Sequence, residues 1–206
     1  MPGIVIIDYD MGNVGSIANM IKKIGGKSLI TPDISAIQQA EKLILPGVGA
    51  FETGMRHLEE LGLLSVLSDK VLQQKTPVLG ICLGMQLITQ TSEEGTLPGL
   101  GWIDADTVKF DFGQQEEQLR IPHMGWNTIQ IKRDHPLLTG LTNESRFYFV
   151  HSYYVRCHNP SDTLAETQYG FPFTSVFQHE NVLGVQCHPE KSHKFGMQLL
   201  ENFIRV

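Results

Sequence analysis

Residues 3–26, "GIVIIDYDMGNVGSIANMIKKIGG", decide the fold class. Gly3 to Ile7 form an unbroken apolar run closed by the carboxylate of Asp8, the pattern of a strand buried on both faces. From Asn13 the period changes: Val14, Ile17, Ala18, Ile21 and Ile24 recur at helical spacing, and Gly25-Gly26 stops the helix. The same alternation then repeats. "KSLI" (27–30) reads as a second strand and "KLILPGVGAF" (42–51) as a third that runs into a glycine-rich turn. Residues 52–61 and 63–74 follow helical patterns, "PVLGIC" (77–82) is a fourth strand, and "LGMQLITQT" (83–91) the helix after it. Strands alternating with helices predict an α/β fold, a mostly parallel sheet flanked by helices, because parallel strands need crossover connections. Ligand chemistry is then expected at the carboxyl ends of the strands.

Beyond "TLPGLGW" (96–102) the texture becomes β-rich and turn-rich: "DTVKF", "NTIQI", "FYFVHSYYV", "TLAET", "FTSVFQ" and "VLGVQC" are short runs that predict an antiparallel extension. "SHKFGMQLLENFIRV" (192–206) closes the chain as a helix with Phe195, Leu199, Leu200, Phe203 and Ile204 on one stripe. A length of 206 residues without repeats or linkers fits one domain, 1–206.

Charge and cysteine usage narrow the function classes. With 16 Lys and Arg against 22 Asp and Glu, the net charge of −6 leaves no basic stripe for nucleic acid or anionic lipid. The opening residues read as a strand rather than a secretion leader, and the uncharged run Val78–Ile88 is too short to cross a bilayer, so no membrane role is expected. Cys82, Cys157 and Cys187 are odd in number, widely separated and without a CxxC pair. That argues against a disulfide framework and structural zinc, and for a reducing, cytoplasmic setting.

"GICLG" (80–84) places Cys82 between two glycines where an apolar strand meets an apolar helix. A cysteine picked at random is usually a buried apolar residue. Here the glycine frame indicates a nucleophile elbow, a reversal too sharp for flanking side chains, with the sulfur at a helix start that favours thiolate. A nucleophile needs a base, and the base an orienting group. "HPE" (188–190) supplies both: Pro189 restricts the backbone so that Glu190 accepts from one ring nitrogen of His188 while the other faces the thiol. Cys187, lacking a glycine frame, reads as a buried or wall-lining neighbour. "GNVGS" (12–16) hints at a nucleotide-binding turn but lacks the full glycine pattern.

"GICLG" and "HPE" together resemble the triad-type class I glutamine amidotransferases, and the resemblance spans nearly the whole chain. "DYDMGNVGSI", "LPGVGAFETGM", "GICLGMQ", "IPHMGWN", "FVHSYY" and "HPEKS" stand in the order typical of the branch that supplies ammonia to imidazole glycerol phosphate synthase in histidine biosynthesis. The resemblance implies a flavodoxin-like glutaminase fold, no cofactor and no metal, and a catalytic triad of Cys82, His188 and Glu190. It implies oxyanion donors at Leu83 and, in the "PGVG" loop, at Val48 or Gly49, although that loop could equally be a plain tight turn. Gln86, Ser152 and Tyr153 would hold the amino-acid end of glutamine, unless they serve sheet packing. The implied partner is the cyclase (β/α)8 barrel subunit, met as a heterodimer through His123, Trp126, Asn127, Tyr148, His151 and Lys191; Trp126 also suits a core position. The competing readings are a glutaminase of another pathway, such as pyridoxal phosphate synthesis, a γ-glutamyl hydrolase, and a silent regulatory subunit. Two departures from the family pattern are Asp10, where glycine is usual and a positive φ would be strained, and Cys187, where an aromatic is usual.

Overall fold

The computed structural model describes residues 3–113 and 119–206. In chain order the elements are β1 (Ile4–Ile7), α1 (Val14–Lys23), β2 (Ser28–Thr31), α2 (Ile34–Gln38), β3 (Lys42–Gly47), α3 (Phe51–Glu60) and α4 (Leu63–Ser68), the last prolonged by a π-helical turn at Asp69–Gln73. Then come β4 (Val78–Cys82), α5 (Leu83–Leu87), β5 (Thr91–Ser92), β6 (Ala105–Lys109), β7 (His123–Thr128), β8 (Gln130–Ile131) and β9 (Arg146–His151). The chain finishes with β10 (Tyr153–Cys157), β11 (Thr163–Tyr169), β12 (Phe171–His179), β13 (Val182–Val185) and α6 (His193–Arg205).

Among the described residues, eleven strands form one sheet with the main path β2-β1-β3-β4-β13-β12-β10-β6-β5. The first five are mutually parallel, and from β13 to β6 the pairing is antiparallel. β11 and β8 join through β12, and β7 pairs with β9 as a separate antiparallel ribbon. β13, the last strand in sequence, thus sits beside β4 in the middle of the sheet, with Val185 opposite Ile81.

The continuous apolar runs are explained by burial on both faces. Ile4 and Ile6 of β1 pack with Ile17 and Ile21 of α1 and Leu199 and Phe203 of α6. Val5 and Ile7 point the other way, towards Phe51 and Leu58 of α3 and Leu63 and Leu67 of α4. Each such side chain contributes roughly 1.5–3 kcal/mol by leaving water. No helix among the described residues is long and apolar enough to cross a membrane.

Three elements differ from the sequence reading: "VLGVQC" (182–187), expected in the antiparallel extension, supplies β13, which pairs parallel to β4 in the middle of the sheet. The helix expected over 83–91 ends at Leu87, because Thr89 turns its hydroxyl onto the Gln86 carbonyl while Leu100 and Trp102 donate backbone N–H groups to the Leu87 and Ile88 carbonyls. That loop caps the helix, and Thr91–Ser92 goes on as a strand. The sequence reading also missed α2, five residues too short for a readable period, whose start is marked by Asp33 accepting from the Ser35 N–H at 3.0 Å.

Candidate active site

The crossing from β4 to α5 allows almost no room. A Cβ on Gly84 would stand 1.7 Å from the Leu45 carbonyl oxygen, and one on Gly80 would stand 2.8 Å from the Gly84 oxygen. Between them Cys82 takes φ 52° and ψ −109°, a conformation that costs an L-residue about 1–3 kcal/mol. The adjacent strand β3 brings Gly47 opposite Cys82, so the Val48–Gly49 loop starts beside the sulfur. Tyr9, fully buried and with its ionisation pushed far up by burial, donates its hydroxyl to the Pro46 carbonyl at 2.5 Å. Freedom in the loop therefore begins at Val48, which is 42% exposed and followed by Gly49 at φ 111°. Asp10 also adopts positive φ, 61°, as its departure from glycine implied.

β13 delivers the second half of the site. The His188 N–H donates to the Tyr148 carbonyl, and the Ser192 hydroxyl donates to the His188 carbonyl at 2.6 Å. Pro189 opens a single 3₁₀ turn that folds Glu190 back onto the ring. Nδ1 of His188 donates to Glu190 Oε1 at 2.8 Å, with both side chains at most 2% exposed. This contact fixes the tautomer and leaves Nε2, which has no partner of hydrogen-bond geometry among the described residues, for the sulfur side. Burial disfavours the imidazolium, but the nearby Cys82 sulfur and the Glu190 carboxylate outweigh it and push the His188 pKa up to about 10.

A cavity of about 280 Å³ opens over these groups, lined by Val48, Gly49, Cys82, Leu83, Gln86, Ser152, Tyr153 and His188. Every sequence-derived oxyanion and substrate candidate borders it, and Glu190 stands behind His188. Leu83 opens α5, so its N–H has no intrahelical acceptor. Gln86 is more constrained than expected: its Nε2 donates both to the Tyr153 carbonyl (3.0 Å) and to Gln186 Oε1 (3.2 Å). Glu94, Pro122, Val150 and Gln186 are the residues the sequence reading missed. Glu94 lines the cavity and accepts from the Phe51 N–H at 2.8 Å, and Gln186 lies buried behind the sulfur. No local motif marks either of them; "EEGT" and "GVQC" look like turn and strand.

The expected partner face divides. Trp126, 41% exposed, stacks on His193 at 5.3 Å, and the Lys191 ammonium lies 5.5 Å from the Tyr148 ring. Asn127 is half-buried and donates to the Gln168 carbonyl. His123 and His151 correct the expectation: they are 3% and 6% exposed, joined Nδ1 to Nε2 at 3.0 Å and packed among Phe110, Phe149 and Phe173, so neither offers its ring to a partner surface.

The sequence profile of the family described as "Glutamine amidotransferase class-I" matches residues 5–206. The chain is 57% identical over 202 residues, 98% of each chain, to imidazole glycerol phosphate synthase subunit HisH 2 of Methanococcus maripaludis. The chain belongs to the class I glutamine amidotransferases, in their HisH branch. The HisH 2 subunit of Pseudomonas aeruginosa is 50% identical, with 98% of this amidotransferase and 99% of that chain covered. In fold it matches a glutamine amidotransferase crystal structure at TM-score 0.73 and 18% identity, over 99% of this chain and 100% of the other. A glutamine amidotransferase from Thermotoga maritima matches at TM-score 0.63 and 15% identity, over 96% of this chain and 80% of the other.

The buried histidine pair gives the amidotransferase an acid-sensitive core. Burial holds His123 down to about 4 and His151 down to about 3. The unfolded chain, with histidines near 6.5, therefore binds more protons than the native state between these values, and stability falls as pH drops below 6.5. His188, raised instead, reaches its full contribution only below 6.5, so it offsets a smaller part of the loss between pH 7 and pH 5. Urea unfolding at pH 5 should give a free energy at least about 2 kcal/mol below that at pH 7 from His151 alone, at 1.36 kcal/mol per unit. His151→Gln should lose about half of the slope, His123 keeping the rest; an unchanged slope would place the protons elsewhere.

Proposed function

We propose that this amidotransferase hydrolyses glutamine to glutamate and ammonia through a thioester on Cys82, and passes the ammonia to a cyclase subunit that forms imidazole glycerol phosphate in histidine biosynthesis. The observation that carries the reading is the strained Cys82 facing a His188 whose far nitrogen is fixed on Glu190, in a chain 57% identical to a HisH subunit. The Cys82 thiolate attacks the side-chain amide carbon, and the carbonyl π pair moves onto oxygen. The Leu83 N–H and the Val48 or Gly49 backbone receive that oxyanion; one such donor is worth about a hundred- to a thousandfold in rate. The Nε2–H of His188 protonates the departing nitrogen, the C–N bond breaks and ammonia leaves. Neutral His188 then takes a proton from water, whose oxygen attacks the thioester; the C–S bond breaks and glutamate and thiolate are restored.

At the other end of the cavity Ser152 and the Tyr153 backbone border the amino-acid end, and the Glu94 carboxylate offers a counter-charge for the substrate ammonium. Gly49 leaves the Val48 peptide free to turn, so the second oxyanion donor is set when partner and glutamine are both bound; the same peptide orientation in free and bound structures would end this idea. Trp126, Tyr148 and Lys191 form the face for the (β/α)8 barrel cyclase.

Glutamate release, measured for the chain alone, with the cyclase subunit, and with subunit plus its ribotide substrate, tests the assignment. A large rise confined to the complex is expected; full activity alone, indifferent to that subunit, would move the chain to another pathway. Glu190→Gln, which keeps shape and an acceptor oxygen but removes the negative charge behind the ring, should lower kcat by about 10²–10⁴-fold with KM little changed, because the His188 imidazolium loses its counter-charge.

A further inference from the structure

Gln186 lies two residues before His188, directly after β13, and is fully buried. Its Nε2 is 3.8 Å from the Cys82 sulfur. The orientation of this amide follows from a chain of fixed partners. The Tyr153 carbonyl accepts only, so the Gln86 atom 3.0 Å from it is the amide nitrogen. That same nitrogen lies 3.2 Å from Gln186, so the Gln186 atom it meets is the oxygen, and the Gln186 amide nitrogen is turned to the sulfur. The Tyr153 carbonyl is itself held by Nδ1–H of His151 at 2.7 Å. Because that bond uses the Nδ1 proton, His151 Nε2 accepts from His123 Nδ1–H, which locks the far end.

We propose that Gln186, oriented by Gln86, is a donor to the Cys82 sulfur that selects the thiolate and aims it into the cavity. The proposal rests on Cys82 being the nucleophile. As a thiol, Cys82 has an alternative: it turns its S–H to the Val150 carbonyl at 3.9 Å. A thiolate cannot make that contact but accepts from Gln186, so the two neighbours favour opposite protonation states and Gln186 favours the reactive one. His188 supplies the charge on the other side and moves with the reaction, whereas Gln186 stays in place through both halves of the cycle.

The test is iodoacetamide alkylation of Cys82, followed by peptide mass spectrometry from pH 5 to 10, in the wild-type chain, Gln186→Met and Gln186→Glu. Methionine removes the donor at similar volume, and glutamate keeps an acceptor for Gln86 but turns an acceptor towards the sulfur. Both should alkylate about 10- to 100-fold more slowly at pH 7, as for a lost hydrogen bond to a charged group, and recover towards the wild-type rate at high pH. In the cyclase complex kcat should fall by a similar factor with KM held. An unchanged rate at pH 7, or a fall equal at every pH, would overturn the proposal, since the first leaves no thiolate preference and the second reflects access alone. Should either variant fold poorly, the wild-type chain decides: the Gln186 side-chain amide resonance should titrate with Cys82 and shift on its alkylation, and a resonance indifferent to both would also overturn it. If alkylation of Cys82 leaves glutamine hydrolysis running, the nucleophile reading fails, and the alkylation profiles still report on Gln186.

Discussion

Replacing Cys82 with alanine should lower glutamate release in the cyclase complex by at least about 10⁴-fold, because water then has to attack the amide directly and no covalent intermediate divides the barrier. The loss should fall on kcat, with glutamine still bound by the cavity wall that Gln86, Ser152 and Tyr153 provide. Folding should be untouched, since alanine at φ 52° carries the same backbone penalty as the cysteine it replaces. Cys82→Gly extends the argument. It should be equally inactive and more stable by about 1 kcal/mol, because glycine relieves a strain the elbow imposes for chemistry alone. Thermal unfolding of the three proteins decides this: a glycine variant no more stable than alanine would mean that the turn is not strained.

Gly84→Ala should have the next largest effect, this time on the fold. The new Cβ would stand 1.7 Å from the Leu45 carbonyl oxygen and 2.7 Å from its carbon, both backbone atoms of β3 with no rotamer to yield. Either α5 lifts away or β3 shifts against β4, and both displace the Leu83 N–H from the sulfur. A loss of about 4 kcal/mol or more is expected, lowering Tm by roughly 8–16 °C at this chain length. Gly15→Ala supplies the contrast: it sits in α1 with nothing within 4 Å of an added Cβ, and should stabilise by about 0.5–1 kcal/mol through helix propensity. If Gly84→Ala melts like the wild type, the close approach of α5 to β3 is wrong.

The difference between Gly84 and Gly15 is also the measure of what one sequence discloses. Period and punctuation expose β1, α1, β3 and β4, because apolar runs on doubly covered strands and a helical stripe are properties of a few neighbouring residues. The elbow and the His-Pro-Glu turn are legible for the same reason: tight backbone leaves its mark in glycine and proline. Gln186 and Glu94 carry no such mark, since they matter through partners far along the chain, Cys82 and Phe51. His123 and His151 misled for a related reason. The resemblance implied them as partner-face residues, yet each ring satisfies the other at 3.0 Å, and a satisfied pair can be buried. The end of α5 at Leu87 was hidden because its cap comes from residues 100–102 rather than from the helix itself.

The insertion of β13 beside β4 has a meaning for how the protein is made. Cys82 and Gln186 are 104 positions apart, and His188 and Glu190 follow. At about 5–20 residues per second, a ribosome needs on the order of 5–20 s to go from one to the other. During that interval the nascent chain carries a cysteine on an unfinished sheet, with no base behind it. On the catalytic roles proposed above, the acid–base half of the site arrives with β13 and the turn after it, so ammonia production should wait until the middle of the sheet has been closed, and products whose translation stops short of His188 should be chemically silent rather than leaky.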